Sequence, residues 1–138
     1  MKNTVLIDTT LHILFLSATF EGRVHDKRIA DYCAYPLPDG SALLQDLGFL
    51  AFELDGVTML EPIKKPHGGQ FTPEQKAHNQ ALATRRVRIE HVNSRVKRGR
   101  MVKDAIRLWR GIIRDLEIEV ACGLHNFRLR LFPWQPLT

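Results

Sequence analysis

The first part of the chain carries two short apolar runs that predict a β-hairpin. Residues 5–7 and 12–17 are rich in β-branched and aromatic side chains, and the polar residues 8–10 separate them. Polar turn residues between two such runs are typical of a hairpin. Because both runs are continuously apolar and do not alternate with polar positions, we expect the sheet to be covered on both faces.

The middle of the chain predicts one helix and two short strands. Residues 25–35 have a helical pattern that Pro36 ends, and the turn-forming residues 36–40 follow. Residues 42–46 begin with three apolar residues and end in Gln45 and Asp46, and they predict a short buried strand; residues 57–60 predict another. The pattern thus alternates strands and helices, which is typical of an α/β fold.

The longest predicted element is a helix with a clear start. Thr72 is a good N-cap, Pro73 suits the first helical position, and Gln75 completes a capping box. We expect this helix to run to about Arg98 and to end at Gly99. The apolar positions that share one face of it, and so predict core packing, are Leu82, Ile89, Val92 and Val96. A last helix is predicted over residues 104–121.

One acid lies inside a run of positive charge on the long helix. Residues 85–103 contain eight Lys or Arg residues, and Glu90 is the single acid among them. A solvated helix usually mixes the two signs, because oppositely charged pairs stabilise it. The pattern therefore indicates a surface for nucleic acid, with Glu90 as a carboxylate that holds a metal ion. The alternative is an exposed basic helix in which Glu90 only relieves repulsion.

Composition places the chain in a broad class. The chain has 138 residues, a net charge of +5, 44% hydrophobic residues and 25% charged residues, which is typical of one globular domain with its own core. No apolar run approaches the ~18 residues of a membrane span, so we expect no membrane partner. Cys33 and Cys122 are far apart and in apolar surroundings, and they indicate reduced thiols in a cytoplasmic protein.

Three acids lie where a nuclease built from a sheet and helices would place them. Asp26 follows the second strand, Asp46 ends a later strand, and Glu90 faces out from the long helix. Carboxylates in such positions can hold two divalent ions about 4 Å apart, and Mg²⁺ prefers oxygen ligands of this kind. Two alternatives stay open, since Asp26 also suits a helix N-cap and Asp46 also suits a turn.

Several segments in order resemble a known family. The segments are residues 22–31, 44–49, 62–66, 86–92, 97–100 and 123–128. Together they resemble the catalytic domain of bacterial insertion-sequence transposases of the DDE superfamily endonuclease type, in particular the subgroup related to harbinger-type nucleases. The resemblance implies an RNase H-like fold. We expect a partial version of it, a short mixed β-sheet flanked by helices, with a long basic helix carrying Glu90.

The resemblance also implies roles for particular residues. Asp46 is expected to be the second acid of the catalytic triad and Glu90 the third, and both would bind Mg²⁺ or Mn²⁺. His25 and Asp26 are expected to support these ligands. The implied reaction is DNA hydrolysis followed by strand transfer. The basic residues expected to contact DNA are Lys64, Lys65, Arg85, Arg86, Arg88, Lys97, Arg98 and Arg100.

The sequence departs from the family pattern at its N-terminal end. In the family the first aspartate lies on an earlier strand, so we expect residues 1–138 to be one domain that lacks this strand and is inactive alone. Asp8 is an alternative first acid, although its place at a hairpin matches a turn acid of the family. An upstream transposase fragment or a second copy is the expected partner. The other interpretations are a product of a decayed gene, a frameshift product, and a non-catalytic nucleic-acid-binding module that uses residues 85–103.

Overall fold

The computed structural model describes residues 2–49, 51–98 and 111–135, and the chain divides into two compact units. The first unit combines Met1–Arg23 with Arg88–Thr138, and the second unit is Val24–Val87. The single domain expected from the sequence stays a prediction. The elements are β1 (Val5–Ile7), β2 (Ile13–Leu16), α1 (Asp26–Asp31), β3 (Ala42–Leu44), a 3₁₀ turn (Leu47–Phe49), β4 (Thr58–Leu60), α2 (Pro73–Lys97) and α3 (Gly111–Leu131).

The predicted hairpin is confirmed in the first unit. Strands β1 and β2 pair antiparallel, with Leu6 opposite Phe15 and Ile7 opposite Ile13. This shift in register leaves Leu14 without an opposite residue, which makes a β-bulge. The side chain of Leu14 is exposed, so the expectation that both faces of the sheet are covered is wrong at this position.

The core of the first unit joins the hairpin to the two long helices. Its buried members are Leu11, Ile13, Val92, Val96, Cys122 and Leu129. The predicted apolar stripe of α2 is therefore confirmed at Val92 and Val96, since both pack in this core. Cys122 is a free thiol, as predicted.

The second unit contains a parallel pair of strands and a short helix. Strands β3 and β4 pair parallel, with Leu43 opposite Met59. Helix α1 ends at Asp31, earlier than the predicted residue 35. The reason is local, because the backbone N–H groups of Tyr32 and Cys33 bond to carbonyls three residues back, which closes the helix in a tight last turn.

The long helix has its predicted start. The Gln75 N–H donates to the Thr72 hydroxyl at 3.2 Å and the Thr72 N–H donates to the Gln75 side chain at 3.1 Å, which is the expected capping box. Helix α2 runs from Pro73 to Lys97. The predicted stop at Gly99 lies outside the described residues.

The last helix extends further than predicted. The sequence predicted an end at residue 121, but α3 continues to Leu131, while its predicted start at residue 104 lies outside the described residues. The extension is explained by burial at helical spacing, since Cys122, His125 and Leu129 share one buried face.

The observed architecture is α/β, as predicted. The described strands form two separate two-stranded sheets, β1–β2 and β3–β4, where the sequence predicted one mixed sheet. The RNase H-like fold stays a prediction. Among the helices of the described ranges, none is long and apolar enough to cross a membrane.

Candidate functional site

Asp46 occupies the junction between β3 and the following 3₁₀ turn. Its Oδ1 accepts a hydrogen bond from the Leu47 N–H at 2.8 Å, and its backbone carbonyl accepts one from the Phe49 N–H at 2.9 Å. The same Oδ1 lies 3.0 Å from Nη1 of Arg86, which comes from α2. The Asp46 side chain is 50% exposed. Asp46 therefore has a turn role, and its carboxylate is also accessible to a ligand.

Asp26, which comes earlier in the chain, contacts the same turn. It is the first residue of α1, and a Cβ placed on Gly48 would be 2.6 Å from Asp26 Oδ2. Any side chain at Gly48 would thus displace this carboxylate. The N-cap of α1 is His25, whose side chain makes no capping hydrogen bond, so the alternative of Asp26 as the N-cap is wrong. Within the second unit, Asp26 and Asp46 both contact the turn at Leu47–Phe49.

Glu90 lies on the part of α2 that belongs to the first unit. It is exposed and comes two residues before the fully buried Val92, as expected for a polar flank of the helix. Asp46 and Glu90 are in different units, and their joint metal site stays a prediction. Within the described ranges there is no group of three or more His, Cys, Asp or Glu side chains placed to hold a metal ion.

Two of the predicted DNA contacts have partners inside the protein. Arg86 pairs with Asp46, and the guanidinium of Arg88 lies 5.0 Å from the centre of the Trp134 ring, which itself packs on the core of the first unit. Arg100 is outside the described residues. Arg86 is itself exposed, and so are the remaining predicted contacts in the described residues, which are Lys64, Lys65, Arg85, Lys97 and Arg98.

An asparagine on α2 holds the segment that carries Lys64 and Lys65. Oδ1 of Asn79 accepts from the Ile63 N–H at 2.8 Å, and Nδ2 of Asn79 donates to the Ile63 carbonyl at 3.1 Å. The backbone of Ile63 is thereby fixed one residue before the two lysines. This role of Asn79 was not predicted from the sequence, although an asparagine inside a helix is unfavourable enough to suggest one.

The second unit contains an open cavity of about 310 Å³ beside this segment. Leu44, Leu82 and Phe71 form part of its apolar wall, while Lys65 and Arg86 contribute positive charge. This combination suits a ligand with an anionic group. The cavity and the Asp46–Arg86 pair therefore share one side chain, Arg86.

The segment at residues 123–128, part of the family resemblance, secures the hairpin. Oδ1 of Asn126 accepts from the Ile13 N–H and Nδ2 of Asn126 donates to the Ile13 carbonyl, both at 2.8 Å. Nε2 of the buried His125 donates to the Leu11 carbonyl at 2.9 Å. These contacts give the segment a structural role that the sequence did not reveal.

Asp8 is a turn acid. Its Oδ1 accepts hydrogen bonds from the Thr10 N–H, the Thr10 hydroxyl and the His12 N–H, at 2.9, 2.7 and 3.0 Å. One carboxylate oxygen thus holds three donors of the hairpin turn, which is the Asx-type turn chemistry of aspartate. The arrangement favours the turn role over the alternative of a first catalytic acid.

Comparison with known proteins gives one family. A sequence model of the family described as "DDE superfamily endonuclease" matches residues 1–126. A protein of Microchaete diplosiphon, described as "Probable transposase for insertion sequence element IS702", is 29% identical over 116 residues. This alignment covers 80% of the chain and 40% of that relative, so the chain spans less than half the length of the relative it matches. No solved structure matches the chain.

Proposed function

Because this chain belongs to the family of DDE superfamily endonucleases, we propose that it acts in DNA transposition as a metal-dependent endonuclease and strand-transfer domain. The observation that carries the proposal is the family match itself, since residues 1–126 include both Asp46 and Glu90. The relative from Microchaete diplosiphon, a probable transposase, supports the same activity.

The donor chemistry of the proposed ligands fits a hard divalent cation. Asp46 and Glu90 would bind Mg²⁺ or Mn²⁺ through carboxylate oxygens, which these ions prefer. The Leu47 N–H fixes the orientation of the Asp46 carboxylate. Such a bound cation supplies charge stabilisation to the attacking and leaving oxygens of a phosphodiester. Asp26, which contacts the same turn as Asp46, would keep that turn in place, with His25 beside it.

The proposed DNA contacts are electrostatic. Exposed lysine and arginine side chains on α2, together with Lys64 and Lys65, would bind phosphates without reading bases. If about four of them engage phosphates, the logarithm of affinity should fall with the logarithm of salt concentration at a slope near −3.6.

A second candidate is a non-catalytic nucleic-acid-binding module. The observation in its favour is that Asp46 already has a structural role, because its Oδ1 bonds both the Leu47 N–H and Arg86. In this alternative, residues 85–103 bind DNA and the acids only stabilise the fold. It predicts DNA binding that needs no divalent cation.

Titration with Mn²⁺ separates the two candidates. Wild-type chain, Asp46→Ala and Glu90→Ala would be titrated and free Mn²⁺ measured by electron paramagnetic resonance. Glu53→Ala is the matched control, because Glu53 is also an exposed acid of the second unit. The proposed function requires that the first two substitutions abolish Mn²⁺ binding and that the control retains it. Equal Mn²⁺ binding by all four proteins would favour the non-catalytic module.

DNA binding is measured on the same proteins. Fluorescence anisotropy of a labelled duplex across a range of salt concentrations gives both the affinity and the slope. Affinity that does not change between low and physiological salt would exclude the phosphate contacts. Nicking of supercoiled plasmid in the presence of Mn²⁺ then tests whether bound metal and bound DNA lead to cleavage.

A further inference from the structure

We propose that Arg86 is a positioning residue that exchanges its contact with the Asp46 carboxylate for a contact with a DNA phosphate when DNA binds. When Arg86 moves to a phosphate, Asp46 becomes a better ligand for a divalent cation. DNA binding and cation binding are thereby coupled through one side chain. This inference rests on the proposed function and adds a regulation of the proposed site.

The first step is the contact in the free protein. Nη1 of Arg86 lies 3.0 Å from Oδ1 of Asp46, and the two side chains are 46% and 50% exposed. Exposed pairs of this kind change equilibria by no more than about fivefold, because water and salt screen them. The Arg86–Asp46 pair can therefore be broken at little cost.

The second step is the position of Arg86 relative to a phosphate site. Arg86 and Lys65 line the same cavity of about 310 Å³. Lys65 is exposed, and the segment that carries it is held by Asn79 on the same helix as Arg86. A phosphate that enters this cavity would meet two positive charges. The guanidinium of Arg86 suits a phosphate as well as it suits a carboxylate.

The third step is the effect on Asp46. A guanidinium at Oδ1 repels an approaching divalent cation and also occupies part of the carboxylate. Transfer of Arg86 to a phosphate removes both obstacles and leaves the Leu47 N–H to orient the carboxylate. By linkage, a cation at Asp46 must then raise the affinity for DNA by the same factor by which DNA raises the affinity for the cation.

The experiment compares two arginine variants of the full chain. Arg86→Gln removes the guanidinium beside Asp46, and Arg28→Gln removes the same charge from α1 of the same unit. Arg28 is exposed, makes no ion pair within the described residues and is not among the proposed DNA contacts, so it is a matched control. Mn²⁺ affinity is measured by electron paramagnetic resonance with and without a short duplex, after subtraction of Mn²⁺ bound by the duplex alone.

We expect Arg86→Gln to bind Mn²⁺ about two- to fivefold more tightly than wild type without DNA, the range set by an exposed ion pair. Arg28→Gln should match wild type. The duplex should tighten Mn²⁺ binding by wild type and by Arg28→Gln, but not by Arg86→Gln. Arg86→Lys keeps a cation near Asp46 and should stay close to wild type, which separates charge from any change in folding.

Two outcomes would overturn different statements. If Arg86→Gln and Arg28→Gln have equal Mn²⁺ affinities, with and without DNA, the exchange of partners is wrong while the metal site at Asp46 still stands. If Asp46→Ala binds Mn²⁺ as well as wild type does, the proposed function fails and the coupling fails with it. In the Asp46→Ala background, the effect of Arg86→Gln should vanish.

Discussion

The bidentate contact of Asn126 with Ile13 gives a prediction that separates burial from hydrogen bonding. Asn79 makes the same pair of bonds to the backbone of Ile63. The bonds of Asn126 are part-buried, whereas those of Asn79 are exposed. Alanine at either position replaces a helical asparagine and removes two hydrogen bonds from its side chain to the backbone of another segment. The difference in helix propensity between Asn and Ala therefore cancels in the comparison.

The expected magnitudes differ because water can replace only one of the two asparagines. Each lost bond costs about 1 kcal/mol net, and a buried group left without a partner adds its desolvation penalty. We therefore expect Asn126→Ala to lower the free energy of unfolding by about 2–3 kcal/mol. At Ile63 water can take over both backbone groups, so Asn79→Ala should cost about 1 kcal/mol or less.

Urea unfolding of the two variants and of wild type measures these costs. Hydrogen exchange at the Ile13 amide adds a local measurement, because Asn126→Ala should increase its exchange rate while Asn79→Ala should not. Equal costs for the two variants would show that burial of the contact does not set its strength. An unchanged exchange rate at Ile13 in Asn126→Ala would refute the contact itself.

Three further predictions concern the first unit. Asp8→Ala should destabilise the chain by about 1–2 kcal/mol through the lost turn bonds, while Asp8→Asn should cost less and neither should change Mn²⁺ affinity; a loss of Mn²⁺ binding in titration would contradict the turn role. Burial, with a smaller contribution from Glu119, raises the pKa of the Cys122 thiol from 9.0 to about 11. The folded chain therefore keeps a proton that the unfolded chain loses between these values. The free energy of unfolding in urea should accordingly fall as pH rises from about 9 to 11, by at most about 3 kcal/mol, and this fall should be absent in Cys122→Ala. Arg88→Gln should weaken DNA binding in anisotropy less than Arg85→Gln does, because the Arg88 guanidinium lies over Trp134; equal losses would show that Arg88 is available to phosphates.

Structural features that depend on a few neighbouring residues were predicted correctly from the sequence. The capping box of Thr72 and Gln75 set the start of α2 correctly, and the polar residues 8–10 marked the hairpin turn. Both features arise from hydrogen bonds within a few residues of each other, so the sequence contains all the partners. The order of family-like segments likewise identified the family that the comparison confirmed.

Features that depend on distant residues were not predictable in this way. The end of α3 was predicted ten residues too early. The helix continues because its buried face with Cys122 and Leu129 packs against a hairpin that lies more than one hundred positions earlier in the sequence. Nothing near Asn126 in the sequence indicates that its side chain bonds to Ile13. The pairing of strands into two separate sheets is also a long-range property, and alternation of strands and helices gives only the fold class.

The basic stretch on α2 shows how linear charge density overstates the number of DNA contacts. Positions two apart on a helix face different directions, and Arg86 and Arg88 accordingly have different partners, Asp46 and Trp134. Besides Arg86 and Arg88, five predicted contacts are exposed in the described residues, and Arg86 becomes a sixth contact with DNA if it exchanges its partner. If all six engaged phosphates, the salt slope would reach about −5.4, compared with about −3.6 for four, and Arg86→Gln should make the slope shallower by about 0.9. If the salt slope of the wild-type chain is steeper than about −5.4, more than six residues contact phosphates. Either Arg88 then leaves Trp134 to bind DNA, or residues other than these six contribute.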